Sequence, residues 1–317
     1  MFLFEAVPSQ LVYRPAVVML TALVILTLLS QFGQYLFLEL TTHFRLQYVL
    51  TAVVCALVFT IYQSWKFVPI AVLCAILNGV YLAPYWRAPE AQNGTGQPFR
   101  VLHANVLKDN QNYEGALRLI QQSNADLLVL QEVTDDWVQQ LKVLEKEYPY
   151  FKSVPGLAGS GMALFSRFAF ADLEVLILDE STHIAIKAKI KVEENKEVTV
   201  LSLHPTTPIT ASKFANRNRQ FKAASRIMRS TSGPKFIIGD LNTTMWSPYF
   251  TDLVRTSGLR DARKGFGLVN SWPMPLPSFL RLPIDHCLVS DDVKVSSIKL
   301  GPGIRSDHRP LVIDLLL

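Results

Sequence analysis

The sequence predicts a layered α/β domain with mixed sheets, preceded by helices apolar enough to span a membrane. Three observations carry that expectation. Residues 1–90 of the 317 hold only four of the chain's 31 basic and three of its 26 acidic residues, so the two parts of the chain suit different solvents. Beyond them, short β-rich runs alternate with helical patterns and neighbouring strands read as hairpins, which suits mixed sheets better than a doubly wound parallel one. Between the two, residues 88–98 (APEAQNGTGQP) are small, polar and Pro/Gly-bearing, the composition of a linker.

The apolar block comes first. Pro15–Leu38 lies uncharged between Arg14 and Glu39, Leu46–Trp65 between Arg45 and Lys66, and Phe67–Trp86 between Lys66 and Arg87. A bilayer-spanning helix needs ~20 apolar residues, and each run is about that long. Tyr48, Tyr62, Trp65, Tyr81, Tyr85 and Trp86 lie towards the ends of the runs, where amphipathic rings favour the headgroup region. A soluble bundle would show a polar stripe at helical period, and a cleaved signal peptide a small-residue cleavage site; neither pattern is present. Three transmembrane helices within residues 1–87, a linker at 88–98 and one catalytic domain at 99–317 are therefore expected. The flanking cations divide evenly between the two sides and do not orient the spans.

In the remaining chain, strands are expected at Phe99–Val106, Asp126–Glu132, Met162–Ser166, His183–Val192, Glu197–His204, Lys235–Asp240, Ile284–Ser290 and Leu311–Leu316. Helical periodicity falls at Gly115–Gln122, Asp135–Glu147, Ser212–Arg229 and Pro248–Ser257. The strands around His183 and Glu197 should form an antiparallel hairpin across residues 193–196. A net charge of +5 is too small for a nucleic-acid stripe. Lys213, Arg217, Arg219, Lys222, Arg226 and Arg229 on one helix read as a solvated face. Cys55, Cys74 and Cys287 have no C-x-x-C spacing, so neither a disulfide framework nor a thiolate zinc site is expected.

Chemistry gathers where apolar strands stop. Phe236-Ile237-Ile238 runs into Gly239-Asp240-Leu241-Asn242, Leu127–Leu130 into Gln131-Glu132, and Val198–Leu203 into His204-Pro205. Ile284 leads to Asp285-His286, Phe99–Ala104 delivers Asn105, and Ser306-Asp307-His308 precedes the last strand. Hard oxygen donors beside imidazoles suit Mg²⁺ or Mn²⁺ and a phosphate-bearing substrate. The absence of H-E-x-x-H, G-x-S-x-G and GxxxxGK[ST] argues against a zincin, an α/β-hydrolase and a P-loop enzyme. His103 reads as structural, and His286 is balanced between lining the pocket and packing.

In the order and spacing of Asn105, Gln131-Glu132, His204, Gly239-Asp240-Leu241-Asn242, Asp285 and Ser306-Asp307-His308, the chain from about residue 99 resembles the endonuclease/exonuclease/phosphatase superfamily, whose fold is DNase I-like. Gly258–Arg263, Ser271-Trp272-Pro273 and Pro283–His286 look like its membrane-anchored bacterial branch, with YafD-like and VanJ-like proteins. The resemblance implies a two-sheet α/β sandwich with its site at one rim. It implies that Glu132 holds Mg²⁺ (or Mn²⁺), with Asn105 and Asp307 as further ligands or close behind them. Asp240 would orient or deprotonate the attacking water with help from Asn242. His204 and His308 would stabilise charge on the phosphoryl oxygens, and Asp285 would fix the His308 tautomer.

The expected function is a membrane-anchored, metal-dependent phosphoesterase acting on a diester, monoester or pyrophosphate, with the bilayer as partner and a lipid-linked phosphate as a candidate substrate. A nuclease is the alternative, and a catalytically silent membrane scaffold is disfavoured because every expected position is filled. The resemblance points to the bacterial plasma membrane, with the N-terminus cytoplasmic and the catalytic domain outside.

Overall fold

The computed structural model describes residues 10–87, 96–156, 159–179 and 183–317. The linker expected at 88–98 falls largely outside these. The described chain divides into two compact units, one reaching Pro84 and including Trp246–Pro248, the other running from Tyr85 to Met245 and from Tyr249 to Leu317.

The first unit contains α1 (Gln10–Leu29), α2 (Leu36–Thr42), α3 (Arg45–Ile61) and α4 (Val68–Trp86). Gln10–Phe32 and Val68–Trp86 are long and apolar enough to cross a membrane; α2 and α3 are bent by 61° and count as a third span only if taken together. The run expected to be one helix over Pro15–Leu38 is thus broken after Phe32. This unit is apolar outside: Val18, Leu28, Leu57, Ile61 and Val80 are exposed. Several of its polar groups are inside. Buried Arg45 donates to Ser30 Oγ (2.7 Å) and Asn78 Oδ1 (2.8 Å), and Asn78 Nδ2 donates to Thr27 Oγ1 (3.0 Å). Such an arrangement suits a hydrocarbon solvent, where a polar group must find its partner within the protein.

The second unit is a two-sheet sandwich. One sheet has the order β11 (Lys294–Leu300), β12 (Leu311–Leu316), β1 (Pro98–Asn105), β2 (Leu127–Gln131), β4 (Met162–Ser166), β3 (Tyr150–Val154). The other runs β5 (Phe170–Ile177), β6 (Ile184–Glu193), β7 (Lys196–Leu203), β8 (Lys235–Asp240), β10 (Asp285–Val289), β9 (Arg260–Asp261). The pairs β1–β2 and β7–β8 are parallel and the others antiparallel. The β6–β7 hairpin turns across residues 193–196 as its sequence predicts.

Period-2 alternation assigns each side chain to a layer. Phe99, Val101, Leu127, Val129, Met162 and Leu164 face Ile186, Ala188, Val200, Phe236 and Ile238 across the sandwich, with Cys287 among them. The alternate residues Leu102, Ala104, Leu128, Leu130, Ala163 and Phe165 pack against α5 (Tyr113–Ser123) and α6 (Asp135–Leu141) through Leu119, Ile120, Trp137 and Leu141. Central strands buried on both faces read as continuous apolar runs, which is why they were legible in sequence. The four strands that sequence did not indicate, β3, β5, β9 and β11, are the four sheet edges. The helix expected over Asp135–Glu147 ends at Leu141 and tightens into a 3₁₀ segment at Lys142–Lys146. On α7 (Ala211–Ser230), Arg217 departs from the expected solvated face: it is fully buried, its guanidinium beside the rings of Phe214, Phe221 and Tyr249.

One side chain joins the sheets at the rim. Gln131, at the end of β2, donates from Nε2 to Leu203 O (3.1 Å) at the end of β7 and accepts Asp240 N (2.9 Å) at the end of β8. Gly239 makes the space: a Cβ there, at φ 154°, would meet Leu203 O at 2.0 Å and Gln131 Nε2 at 2.4 Å. Gly239→Ala should therefore cost about 3 kcal/mol or more, since backbone cannot yield to the methyl group. Gly233→Ala, whose Cβ would meet open space, carries only the backbone penalty of its φ of 76°. Thermal melts of the two variants in detergent should rank them in that order.

Candidate active site at one rim of the sandwich

The ends of β1, β2, β7 and β8 and the start of β10 carry Asn105, Glu132, His204, Asp240 and Asp285 to one rim, with Asp307 and His308 on the loop before β12. Asp240 Oδ2 is the point of convergence: His204 Nε2 and His308 Nε2 each lie 3.6 Å away and Asn105 Nδ2 lies 3.4 Å away. Its other oxygen accepts Asn242 N (2.8 Å), and Asn242 Nδ2 donates to Pro205 O (3.0 Å). Glu132 Oε1 accepts Asn105 Nδ2 (2.9 Å) and Oε2 accepts Lys108 N (3.1 Å). Glu132 and Asn242 both hold left-handed backbone conformations (φ 62° and 50°), a local cost of the kind found at functional sites.

Asp285 is fully buried and serves both sheets. Its Oδ2 lies 2.8 Å from His308 Nδ1 and also accepts Ser271 Oγ, while Oδ1 lies 2.8 Å from His103 Nε2. Burial opposes the charge on Asp285, but His308 and His103 hold its carboxyl well below the usual range. Burial likewise opposes charge on His308, yet Asp285 and Asp240 push its imidazole up to about 10. His204 is raised too, burial being outweighed by Asp240 and Glu132. His308 is thus a cation at neutral pH, suited to stabilising negative charge rather than accepting a proton, and His204 is shifted in the same direction.

Asp307 accepts Trp272 Nε1 on Oδ2 (3.0 Å), and its buried Oδ1 has no hydrogen-bond partner. His286 does not join the site. It is buried, its Nε2 bonds Thr243 O (2.8 Å) and its Nδ1 accepts Arg263 Nη1 (3.3 Å); burial and Arg263 hold it well below the usual histidine range, so it is neutral. His103, read in sequence as structural, instead contacts the Asp285 carboxylate. Gln131, Ser271, Trp272 and His103 all touch site residues; Gln131-Glu132 and Ser271-Trp272-Pro273 stand among the motifs of the sequence, but nothing in the sequence attaches a site role to these four side chains.

Residues 100–308 match the profile of the Endonuclease/Exonuclease/phosphatase family. Several solved structures share the fold. An endonuclease/exonuclease/phosphatase from Bacteroides vulgatus is 20% identical, covering 70% of this chain and 99% of that one, with a TM-score of 0.60. A functionally unknown conserved protein from Enterococcus faecalis is 18% identical, covering 68% and 99%, with a TM-score of 0.59. D. rerio TDP2, complexed with a single-strand DNA product, is 14% identical, covering 70% and 100%, with a TM-score of 0.60. No curated protein sequence matches the chain.

The geometry of Asp285 gives a direct expectation. His103→Leu removes one of its two imidazole partners and leaves a buried carboxylate underpaired, so turnover should fall roughly tenfold with little change in KM. His103→Gln, which keeps a donor, should recover much of the loss. Equal loss in both variants would make His103 a packing residue only.

Proposed function

Since the chain belongs to the endonuclease/exonuclease/phosphatase family, we propose that it is a divalent-metal-dependent phosphoesterase, held at a membrane by its N-terminal helices and acting on the phosphoester or pyrophosphate bond of a lipid. The observation that carries the chemistry is the placement of Asp240 Oδ2 between His204, His308 and Asn105. Members of this family are usually phosphoester hydrolases, and the sequence likeness at the anchor and around Ser271-Trp272-Pro273 favours its membrane-anchored bacterial branch.

The donors fit a hard cation. Glu132 and Asp307 offer carboxylate oxygens, and Asp307 Oδ1 is buried without a partner. Among the described residues no group of three or more His, Cys, Asp or Glu forms a ready-made cage, which suits Mg²⁺ or Mn²⁺ retaining several waters better than zinc. Asn105 turns its Nδ2 to Glu132 and its Oδ1 to Leu107 N (3.1 Å), so in this arrangement it orients the Glu132 carboxylate. When bound, the ion would neutralise charge on the phosphoryl oxygens.

The protein's own groups supply the rest. Asp240, oriented by Asn242 N, is the acceptor for the proton of the attacking water. His204 and His308 offer N–H donors to the developing phosphoryl charge, and Asp285 fixes His308 by accepting a hydrogen bond from its Nδ1. The lipid reading is supported by the helices: two, or three if the bent pair is one span, are long and apolar enough to cross a bilayer, and such an anchor would raise the effective concentration of headgroups. A nuclease is the second reading, favoured by the likeness of the fold to D. rerio TDP2 with its single-strand DNA product.

Activity on a soluble diester should vanish in EDTA and return with Mg²⁺ or Mn²⁺. Asp240→Asn, which keeps shape but removes the acceptor, should lower turnover by ~10² or more while the melt is preserved. Full activity after exhaustive chelation, or in that variant, defeats the mechanism. A screen of phospholipids, isoprenoid pyrophosphates and oligonucleotides decides the substrate; efficient, steeply salt-dependent cleavage of oligonucleotides alone would install the nuclease reading. For orientation we place the N-terminus in the cytoplasm and the catalytic domain outside. C-terminal alkaline phosphatase fusions should then be active and green fluorescent protein fusions dark.

A further inference from the structure

The two carboxylate oxygens of Asp307 stand in different states. Oδ2 accepts Trp272 Nε1 (3.0 Å), whereas Oδ1 is buried without a hydrogen-bond partner. Leaving a carboxylate oxygen buried and unpaired is costly, so Oδ1 is the atom of this side chain that a cation would relieve. The neighbours of Asp307 are committed elsewhere. Ser306 Oγ donates to Asn105 O (2.8 Å) and accepts His308 N (3.1 Å), and His308 Nδ1 faces Asp285. Among the described residues, Trp272 is the one side chain that hydrogen-bonds the Asp307 carboxylate.

The backbone that carries this indole is itself held from two sides. On one, Ser271 N and Trp272 N donate to Leu282 O (3.2 and 3.1 Å), and Leu282 N donates back to Trp272 O. On the other, Arg309 N donates to Ser271 O (3.0 Å) and Met274 N to Asp307 O (2.7 Å). Residues 271–274 thus lie clamped between Leu282 and the loop that bears Asp307 and His308. Trp272 pairs with Leu282 as a single antiparallel bridge, and in such extended backbone successive side chains point to opposite sides. Two adjacent residues can therefore serve two different acids. Ser271 Oγ donates to Asp285 Oδ2, and Trp272 Nε1 to Asp307 Oδ2. The half-buried Trp272 ring stands at the rim, its centroid 6.4 Å from that of His308.

We infer that Ser271-Trp272 is a two-armed positioning element of the site. The Ser271 arm fixes Asp285 and, through it, His308; the Trp272 arm holds Asp307 by one oxygen so that the other is presented to a divalent cation. Each side chain acts through an acid, so both are positioning residues. The inference deepens the metal-dependent reading above and rests on it. A hydrogen bond to a ligating carboxylate sets its direction before the ion arrives, and losing such a bond weakens metal affinity by about 10- to 100-fold. A hydroxyl on the acid behind an imidazole works instead on the donor aimed at the phosphoryl charge, hence on turnover. The two arms therefore leave different signatures.

The test uses the full chain in detergent with Mn²⁺ as the probe, free ion being read by electron paramagnetic resonance. Trp272→Phe keeps an aromatic ring and removes the N–H. Its Kd for Mn²⁺ should rise about tenfold or more, and the Mn²⁺ activation curve for soluble-diester turnover should shift by the same factor. Ser271→Ala should leave the Kd for Mn²⁺ unchanged and lower turnover several-fold at saturating Mn²⁺. Melts in EDTA check that both variants fold. A measurement on the unsubstituted chain needs no variant: with the indoles labelled with nitrogen-15, Mn²⁺ should broaden one of the five tryptophan N–H resonances, where Mg²⁺ does not. An unchanged Kd in folded Trp272→Phe, parallel losses of affinity and turnover in both variants, or no broadened indole overturns the inference. Each of these leaves the metal-dependent reading standing, provided that the unsubstituted chain binds Mn²⁺. An unsubstituted chain that takes up no Mn²⁺ overturns both, so the two failures are distinguishable.

Discussion

The carboxamide of Gln131 is the contact on which the site depends. The core between the sheets is apolar and non-directional, so it holds the layers together without fixing their offset to the precision chemistry needs. Gln131 fixes it at the rim, taking a carbonyl of β7 and an N–H of β8 at once, with Gly239 leaving room for the approach. His103 to Asp285 and Asn105 to Asp240 add two more bridges from one sheet to the other. Asn105 and His204, which face Asp240, therefore arrive from strand ends tied by buried polar links, while His308 comes from the loop before β12 and is held by Asp285.

Those links place charge where water is scarce. Asp285 is fully buried between two imidazoles and a hydroxyl, an arrangement that is costly unless every lone pair is used. Its return is the state of His308, held as a cation beside Asp240. The left-handed conformations of Glu132 and Asn242 are a second expense at the same rim, and each directs a functional side chain at the end of an otherwise regular strand.

The N-terminal unit obeys the opposite solvent rule. Most of its large apolar residues face outward or pack between its helices, and the polar residues Arg45, Ser30, Asn78 and Thr27 are bonded to one another within. The second unit buries most of its apolar residues between its sheets and beneath α5 and α6, and gathers its polar site residues at one rim.

By itself the sequence determined the eight central strand segments, the hairpin at residues 193–196, the strand-end positions of Asn105, Glu132, His204, Asp240 and Asp285, and the place of Asp307-His308 just before the last strand. These were legible because buried strands and spans write their solvent into consecutive residues, and because the polar residue that ends an apolar run stands out against it. Only the tertiary structure decided the edge strands β3, β5, β9 and β11, whose half-exposed residues carry no such contrast. It also decided which histidine serves the site: His103 joins Asp285, whereas His286 turns to Thr243 and Arg263. The break of the first apolar run after Phe32, the burial of Arg217 and the tie made by Gln131 belong to the same class. The physical reason is common to all of them. Hydropathy along the chain records how much water a residue meets, but the partner of a buried polar group lies tens to hundreds of residues away, and only folding brings the two within hydrogen-bonding distance.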